Sequence, residues 1–319
     1  MTPTQLRAFA AVVRLGSVKR AAEELEVSQP AVSLHIAQLR KELGDKLFIP
    51  TAAGLSFTPG GLRLASRAAE ILGLQDQTIR EVGQASRGHR LLRIAASSLF
   101  AEHAAPGLLE LFAQRAKDLD VELSDNTSNH FASLLLARTV DVAIGPHPQG
   151  LDPGIVSTHF LNYQVVAVAS PTHPLALMQP TSRDLREHTW LLGPSAAAGT
   201  GASAGLLRRL NVPEDRMQIF QSHAAALDQA KRGAGVALAL SFAVSQDLAN
   251  GHLRRIQGPT LQAQGGWSIL TLAEPNASPA AAELTRFVTR PDAIQAMLRG
   301  TGVLPGRFKP FIHVTLWSQ

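Results

Sequence analysis

The sequence of 319 residues contains no cysteine. That absence excludes a disulfide framework, a thiolate nucleophile and any zinc or iron–sulfur site that depends on cysteine ligands. No apolar run reaches about 18 residues without polar interruption, so no membrane-spanning helix is predicted. The start of the chain lacks the ordered regions of a secretory signal. We therefore expect a cytoplasmic protein with no membrane partner.

Charged residues make up only 17% of the chain and apolar residues 45%, a composition typical of a folded globular protein. The excess positive charge is unevenly distributed. Residues 1–90 carry 12 basic and 8 acidic side chains, whereas residues 91–319 carry 18 and 17. A basic segment joined to a near-neutral body indicates a module that binds a polyanion, attached to a domain of another kind.

The first part of the chain has the pattern of a helix-turn-helix. Apolar residues at helical spacing predict helices over 4–15 and 29–43, with a shorter helix over 18–25 between them. Ser17 and Ser28 are placed to cap the second and third helices. Three short helices joined by tight turns are typical of DNA-binding domains.

A hairpin and a long helix are predicted next. Residues 46–57 read as a two-stranded wing with its turn near Ala53-Gly54, and Thr58 caps a helix that runs to about Gln84. A long isolated helix needs a partner to bury its apolar stripe, and a second copy of the chain is the economical partner. The residues predicted to pair two copies are Leu62, Ala65, Ala69, Leu72 and Ile79.

From residue 91 the pattern changes to strands alternating with helices. Such alternation is typical of α/β folds with largely parallel sheets. About 200 residues are many for one sheet, so we expect two smaller α/β lobes with a ligand cleft between them.

The helix over 29–43 has a polar face that can read DNA. Glutamine can pair with adenine through two hydrogen bonds, serine can contact either base edge, and basic side chains contact phosphate. An ordinary solvated face is the alternative interpretation. The predicted DNA-contacting residues are Ser28, Gln29, Pro30, Ser33, Leu34, His35, Gln38, Lys19, Arg20, Arg40, Lys46 and Thr51.

The ordered set of residues over 4–61 resembles the LysR-type transcriptional regulators, a bacterial family. The resemblance depends on Gly16-Ser17, Ala21-Ala22, Leu25, Ser28-Gln29-Pro30-Ala31-Val32-Ser33, Ile36, Leu39, Leu43-Gly44, Leu47-Phe48, Thr58 and Gly60-Gly61. It implies an α/β chain overall. A mainly α winged helix-turn-helix would occupy 1–58 and a dimerising linker helix with its hinge 59–90. A two-lobed effector domain like the periplasmic binding proteins would occupy 91–319.

Within that effector domain we expect lobe I at about 91–163 and 267–300, lobe II at about 164–266, and a C-terminal arm at 301–319. The resemblance implies a regulator whose binding or bending of double-stranded DNA is modulated by a small-molecule effector. It also implies a homodimer or tetramer and contact with RNA polymerase. No cofactor and no enzymatic activity are expected.

The wing departs from the family pattern. The family usually has an arginine two residues after Leu47-Phe48 and further basic residues in the wing, but here the segment is Ile49-Pro50-Thr51-Ala52-Ala53. Arginine is well suited to phosphate and to the minor groove. We therefore expect weaker phosphate contact by this wing or an unusual sequence preference.

Hydroxyl and small residues follow several predicted strands in the effector domain. In the family the ligand usually lies between the lobes, held by hydroxyls and backbone N–H groups. Each residue alone could be an ordinary cap or turn, but their convergence at strand ends favours a binding role. The predicted effector-binding residues are Ser97, Ser98, Thr127, Ser128, Asn129, Gly145, Pro146, Ser195 and Thr200. No basic pair is placed to clamp a dicarboxylate, so a neutral or monoanionic ligand is expected.

Two rival signals are weak. Residues 201–205 match the G-x-S-x-G elbow, which would make Ser203 a hydrolase nucleophile, but the residues before it do not form the required strand. The 11 histidines are scattered without a metal-binding spacing, so no metal site is expected. His103, His147 and His159 are interpreted as loop or surface residues.

The end of the chain, 301–319, is too apolar for a free tail. We expect it to pack as a strand or arm on its own body or on a neighbouring subunit. Contact with nucleic acid through Arg307 and Lys309 is the less favoured interpretation.

Overall fold

The computed structural model describes residues 1–51, 54–85, 88–148, 150–197, 199–258 and 260–299. The chain divides into two compact units. Unit 1 comprises Met1–Arg87 with Leu136–Thr139, and unit 2 comprises Gly88–Leu135 with Val140–Gln319. The predicted C-terminal arm, residues 86 and 87 of the predicted hinge and the wing turn at Ala53 lie outside the described residues.

Three helices open unit 1, α1 (Pro3–Leu15), α2 (Val18–Glu24) and α3 (Gln29–Leu43). Each begins after a hydroxyl side chain that accepts a hydrogen bond from a backbone N–H of the first turn, namely Thr2, Ser17 and Ser28. Gly16 and Gly44 end α1 and α3 at φ 64° and 66°, a left-handed conformation that glycine adopts without strain.

The apolar faces of these helices form one core. Its fully buried members include Leu6, Phe9, Val12, Val32 and Leu39. Phe9 also stacks on Phe48 at the start of the wing, with ring centroids 6.4 Å apart. Since Val32, Ile36 and Leu39 of α3 face inward, the opposite face of the helix is left exposed.

The wing and the linker helix follow as predicted. Strands β1 (Phe48–Thr51) and β2 (Gly54–Phe57) pair antiparallel, and helix α4 spans Pro59–Ala85. The Thr58 hydroxyl accepts from the N–H of Gly61 and donates to the Asp45 carboxylate at 2.6 Å. These two contacts fix the first turn of α4.

Unit 2 is an α/β structure. Its strands are β3 (Arg90–Ala96), β4 (Leu119–Asp125), β5 (Val142–Pro146), β6 (Ile155–Ala169), β7 (Trp190–Leu192), β8 (Met217–Ile219), β9 (Val236–Leu240), β10 (Arg254–Arg255) and β11 (Gln262–Leu272). Its helices are α5 (Ser98–His103), α6 (Ala105–Arg115), α7 (Phe131–Leu136), α8 (Pro174–Leu177), α9 (Ser182–Glu187), α10 (Pro194–Ala197), α11 (Gly201–Leu210), α12 (His223–Lys231), α13 (Ser245–Ala249), α14 (Pro279–Val288) and α15 (Pro291–Arg299). Two 3-10 turns lie at Ser128–His130 and Glu214–Arg216.

The expectation of largely parallel sheets is wrong. The strands run in the order β4-β3-β5-β11-β6-β9-β7-β8, and β10 pairs with β6. The outer pairs on each side are parallel, but β5–β11, β11–β6 and β6–β9 are antiparallel. The reason is that β6 and β11, 15 and 11 residues long, run antiparallel to each other through the middle of the sheet and connect its two halves.

These two long strands divide unit 2 into two lobes. Lobe I holds β3, β4 and β5, of which β5 pairs with the Trp267–Leu270 part of β11. Lobe II holds β7, β8 and β9, of which β9 pairs with Val165–Val168 of β6. The ladder between β6 and β11 has a register shift at Trp267/Ser268, where one half of the sheet passes into the other. Among the described residues, no helix is both long enough and apolar enough to cross a bilayer.

Candidate functional site

Helix α3 presents a polar face to solvent. Gln29, Pro30 and Ser33 near its N-terminus and Gln38 further along are exposed, and Leu34 keeps 57% of its surface accessible. Val32, Ile36 and Leu39 on the other face are buried. Ser28 is exposed and caps the helix through its hydroxyl. The arrangement is that of a recognition helix, in which the first turns meet base edges in the major groove.

Two polar residues of α3 differ in their surroundings within the domain. Gln38 accepts a hydrogen bond from the Gln5 side-chain amide at 2.9 Å, which orients it from α1. His35 is half-buried, and its Nδ1 is buried without a hydrogen-bond partner among the described residues.

The predicted phosphate contacts divide into two groups. Lys19, Arg20 and Lys46 have exposed side chains, and Lys19 lies 4.0 Å from Glu23. Arg40 is instead engaged inside the domain, where its Nη2 donates to the Phe48 carbonyl at 2.7 Å. Its guanidinium also lies 4.7 Å from the centre of the Phe48 ring. Arg40 therefore positions the wing against α3.

The wing presents uncharged side chains. Ile49 and Pro50 are exposed, and the Thr51 hydroxyl donates to the Gly54 carbonyl at 3.1 Å. Among its described residues, 48–51 and 54–57, the wing carries no basic side chain.

The apolar stripe of α4 differs in part from the predicted one. Leu62 and Ile79 are 59% and 62% exposed, and Ala69 is also exposed. Ala65 and Leu72 pack against the core of unit 1, because α4 lies against α1. The exposed apolar residues that sequence reasoning missed on this helix are Ile71, Leu74 and Val82.

In unit 2 a cavity of about 230 Å³ lies where the carboxyl ends of β3, β4 and β5 meet lobe II. Of the nine predicted effector-binding residues, seven line it: Ser97, Ser98, Thr127, Ser128, Pro146, Ser195 and Thr200. Gly145 lies behind its wall, where a Cβ would meet the Phe131 ring at 2.7 Å. Asn129 lines a larger neighbouring cavity of about 880 Å³ instead.

Several residues that line the cavity of about 230 Å³ were not predicted from the sequence. The main ones are Asp125, Asn126, Tyr163, Gly201 and Trp267. Asp125 is the last residue of β4 and Asn126 directly follows it, so both carry the strand-end signal that pointed to Thr127. Tyr163 and Trp267 lie in the long strands β6 and β11, where a buried aromatic residue looks like ordinary core.

The cavity wall contains polar atoms without partners. Within the described part of the chain, the Ser97 hydroxyl and the Trp267 indole N–H are buried without hydrogen bonds. A buried polar group without a partner is costly, so these two atoms are candidates for ligand contacts. Across the cleft the Ser128 and Thr200 hydroxyls lie 3.1 Å apart and join the two lobes.

The charge in this cavity is negative. Asp125 is its one ionisable carboxylate among the described lining residues, and no described lysine or arginine lines it. Burial raises the pKa of Asp125, and the nearby charge of Glu102 raises it further.

A cluster of hydrogen-bonding side chains lies next to this cavity. The Ser195 hydroxyl is 2.8 Å from His223 Nε2, and His223 Nδ1 is 2.9 Å from Glu102 Oε1. The Glu102 carboxylate also accepts from the backbone N–H groups of His223 and Ala224. The His103 ring lies 5.9 Å from the His223 ring, centre to centre.

Burial sets the protonation of this cluster. It lowers the pKa of His103 to about 4, helped by the charge of His223, so His103 is neutral at pH 7. Burial alone would raise the pKa of Glu102, but the hydrogen bonds and charge of His223 outweigh it and hold that pKa below its usual value. Contrary to the interpretation of His103 as a loop or surface residue, it is half-buried at the end of α5.

Ser203 does not have the geometry of a nucleophile elbow. It is buried in the first turn of α11, which follows a loop, whereas the elbow requires a strand directly before the serine. The serine that does contact a histidine is Ser195. Sequence reasoning could not find that contact, because His223 is 28 residues away from Ser195 and 121 away from Glu102.

Comparison with known proteins extends these observations. Residues 3–62 match the bacterial regulatory helix-turn-helix protein family of the lysR type, and residues 85–291 match the LysR substrate binding domain. An uncharacterized HTH-type transcriptional regulator of Mycobacterium tuberculosis (strain CDC 1551 / Oshkosh) is 55% identical over 321 residues, covering 100% of both chains.

Two solved structures share the fold. ArgP from Mycobacterium tuberculosis has a TM-score of 0.62 at 21% identity, covering 92% of this chain and 96% of its own. LysG from Corynebacterium glutamicum, solved with bound effector Arg, has a TM-score of 0.58 at 20% identity, covering 92% and 99%. With both domains matched in order, this chain belongs to the LysR family of DNA-binding transcriptional regulators, with an N-terminal helix-turn-helix and a two-lobed effector-binding domain.

Proposed function

We propose that this regulator reads its operator through the exposed face of α3, with Gln29, Ser33 and Gln38 contacting base edges. The observation that carries the proposal is the division of α3 into a buried apolar face and an exposed polar one at the helix N-terminus. Lys19, Arg20 and Lys46 contact backbone phosphates, whereas Arg40 holds the wing. The protein acts on DNA in the cytoplasm.

The effector binds in the cavity of about 230 Å³ between the lobes. The unpartnered Ser97 hydroxyl and Trp267 N–H offer donors to a ligand oxygen, and the Asp125 carboxylate offers an acceptor. This polarity favours a small neutral or zwitterionic molecule with a donor group at one end. LysG was solved with Arg as its bound effector. A carboxylate such as Asp125 suits the cationic group of a ligand like arginine.

The active assembly contains paired copies of α4. Leu62, Ala69 and Ile79, with Ile71, Leu74 and Val82, supply the apolar surface that a second copy covers. The lobes meet near residues 163 and 266, and the register shift between β6 and β11 at Trp267/Ser268 supports this boundary. The dimer or tetramer, once bound to DNA, contacts RNA polymerase.

Regulation depends on a difference in effector affinity between arrangements of the two lobes. A ligand that binds one arrangement of the two lobes more tightly shifts the population toward it and thereby alters DNA binding or bending. The Ser128–Thr200 contact is one that such a shift would make or break. The role is regulatory and not enzymatic, since the family is one of regulators and Ser203 is buried in a helix.

The deciding experiment is fluorescence anisotropy with DNA from immediately upstream of the protein's own gene, across a salt series. We expect binding at least about a thousandfold tighter than to scrambled DNA, with a linear log–log salt dependence. Weak binding that is equal on both DNAs would contradict specific recognition at this site. Absence of binding at low salt would refute DNA binding by α3.

The same assay tests the cavity. Amino acids and small neutral metabolites are screened for a shift in DNA affinity, with Ser97→Ala as the variant and Ser133→Ala, an exposed serine on α7, as the control. A ligand that contacts Ser97 should lose about 0.5–1.5 kcal/mol of binding energy in the variant only. Equal loss in both variants would argue against this cavity.

A further inference from the structure

Glu102 and His103 are consecutive on α5 of lobe I, and His223 begins α12 of lobe II. One ligand atom from each residue, a carboxylate oxygen and two ring nitrogens, lies within 4.8 Å of the other two. Within the described ranges this is the one place where three such side chains converge. We propose that Glu102, His103 and His223 bind a zinc-like divalent transition-metal ion that joins the two lobes.

The donor set selects the class of ion. Two imidazole nitrogens and one carboxylate oxygen suit Zn²⁺ and its neighbours Co²⁺ and Ni²⁺, whereas Mg²⁺ and Ca²⁺ prefer oxygen ligands throughout. Three protein ligands leave a fourth tetrahedral position for water or an incoming ligand. The site is sheltered, since His223 is 4% exposed and the Glu102 side chain 25%.

The carboxylate is already held in place. The N–H of His223 donates to both Glu102 oxygens at 3.0 and 2.9 Å, and the N–H of Ala224 donates to one of them at 3.2 Å. The separation of 2.9 Å between His223 Nδ1 and Glu102 Oε1 is close to the about 3.3 Å between two ligands of a tetrahedral ion with bonds of about 2.0–2.1 Å. Small side-chain rotations therefore suffice to admit the ion.

The second nitrogen of His223 also has the partner that a metal ligand needs. Metal-binding histidines generally donate their other ring N–H to a fixed acceptor, which orients the ring. Here Nε2 lies 2.8 Å from the Ser195 hydroxyl. With the ion on Nδ1, the ring proton resides on Nε2 and is donated to Ser195.

Gly193 makes room for this ring. A Cβ at Gly193 would lie 2.3 Å from the nearest carbon of His223, so no other residue fits there without displacing the imidazole. Ser195 lines the effector cavity while contacting His223. The ion would therefore lie one side chain behind the cavity wall, and its binding would stabilise the lobe arrangement in which α5 and α12 are adjacent.

The test uses the full-length protein, stripped with a chelator and free of any polyhistidine tag. Zn²⁺ is titrated against a chromophoric competitor, and Co²⁺ is added separately to record its visible absorption. We expect one equivalent per chain, with an absorption band typical of low-coordinate Co²⁺. Glu102→Gln, His103→Ala and His223→Ala should each weaken binding by about a hundredfold or more, and Ser195→Ala by about tenfold.

His147→Ala is the matched control, because His147 is an exposed histidine of the same unit outside the cluster, and it should bind as the parent does. Each variant is also heated with and without Zn²⁺, so that the ion-induced rise in Tm is compared within one variant. Failure of the parent to bind one equivalent of either ion at about 100 µM would overturn the proposal. Binding that survives Glu102→Gln and His103→Ala would overturn it equally.

Discussion

At the scale of single residues, α3 carries two kinds of polar side chain: exposed ones, which we propose contact DNA, and ones that make contacts within the domain. On α3, Gln29 and Ser33 are exposed and lack described side-chain contacts that would restrain them, whereas Gln38 is oriented by Gln5. Arg40 is on the same helix, but its guanidinium donates a hydrogen bond to the wing. Mutations along α3 should therefore have different consequences according to what each side chain touches.

Gln29→Ala tests base reading. The loss of a good base contact should weaken operator binding by about 1–3 kcal/mol and leave binding to scrambled DNA unchanged. The measurement is the ratio of the two dissociation constants at fixed salt. Lys41→Ala, an exposed residue in the last turn of α3, is the control and should leave that ratio unaltered. A ratio insensitive to Gln29→Ala would remove this residue from the base-reading set.

Asp141→Asn tests a buried ion pair of unit 2. Asp141 is 8% exposed and accepts from the backbone N, Nε and Nη2 of Arg93 at 2.9, 3.1 and 2.9 Å. Removing the charge weakens a buried, hydrogen-bonded ion pair, and about 3 kcal/mol of stability should be lost. Urea unfolding should show a lower midpoint with an unchanged slope.

The control for that experiment is an exposed pair in the same unit. Arg90 contacts Asp118 with side chains 41% and 51% exposed, so Asp118→Asn should have a much smaller effect. Equal losses from the two substitutions would show that burial does not determine the contribution of Asp141.

At the scale of elements, the wing and α3 pack together but expose different surfaces, uncharged on the wing and polar on α3. Phe48 begins β1, stacks on Phe9 and lies under Arg40, which docks the wing firmly on the helical core. The outer side of β1 is left to Ile49 and Pro50. The wing is thus packed firmly on the helical core, and its described residues carry no basic side chain.

Pro50→Arg should restore a phosphate contact. If the wing faces the DNA backbone, one added contact strengthens binding and steepens the log–log salt slope by about 0.9. Pro50→Gln separates the added charge from the loss of proline and should leave the slope as it is. An unchanged slope in Pro50→Arg would place the wing away from phosphate.

At the scale of the whole molecule, α4 carries more apolar surface than its own domain covers. Leu64 and Ala68 are buried against the core of unit 1, but Ile79 and Val82 remain 62% and 68% exposed. A surface of that kind marks an interaction site. Leu72 is the wrong position to probe it, because Leu72 packs against the core and its replacement would also disturb folding.

Ile79→Asp is expected to dissociate the assembly. A buried, unpaired carboxylate is costly, so two copies of α4 should no longer pair, and the mass by light scattering should fall to that of a smaller species. Ser66→Asp adds the same charge at an exposed polar position of the helix and should leave the mass unchanged. An oligomer that tolerates Ile79→Asp would move the interface elsewhere.

The N-terminal helices are predictable because their signals are local. The caps Ser17 and Ser28, the stops Gly16 and Gly44, and the inward spacing of Val32, Ile36 and Leu39 all act within one or two turns. Sequence alone therefore determined α3 to the residue, the outward placement of Gln29 and Ser33, and the strand-end position of Ser97 and Ser128.

Only the tertiary structure decided which distant residues meet. Trp267 joins Ser97 in one cavity because β11 crosses between the lobes, and Arg40 turns inward because Phe48 offers both a carbonyl and a ring. The Glu102–His103–His223 cluster matches no metal-binding sequence motif, since its members come from α5 and α12. Contacts between elements depend on how the sheet and helices pack, and no local pattern encodes that packing.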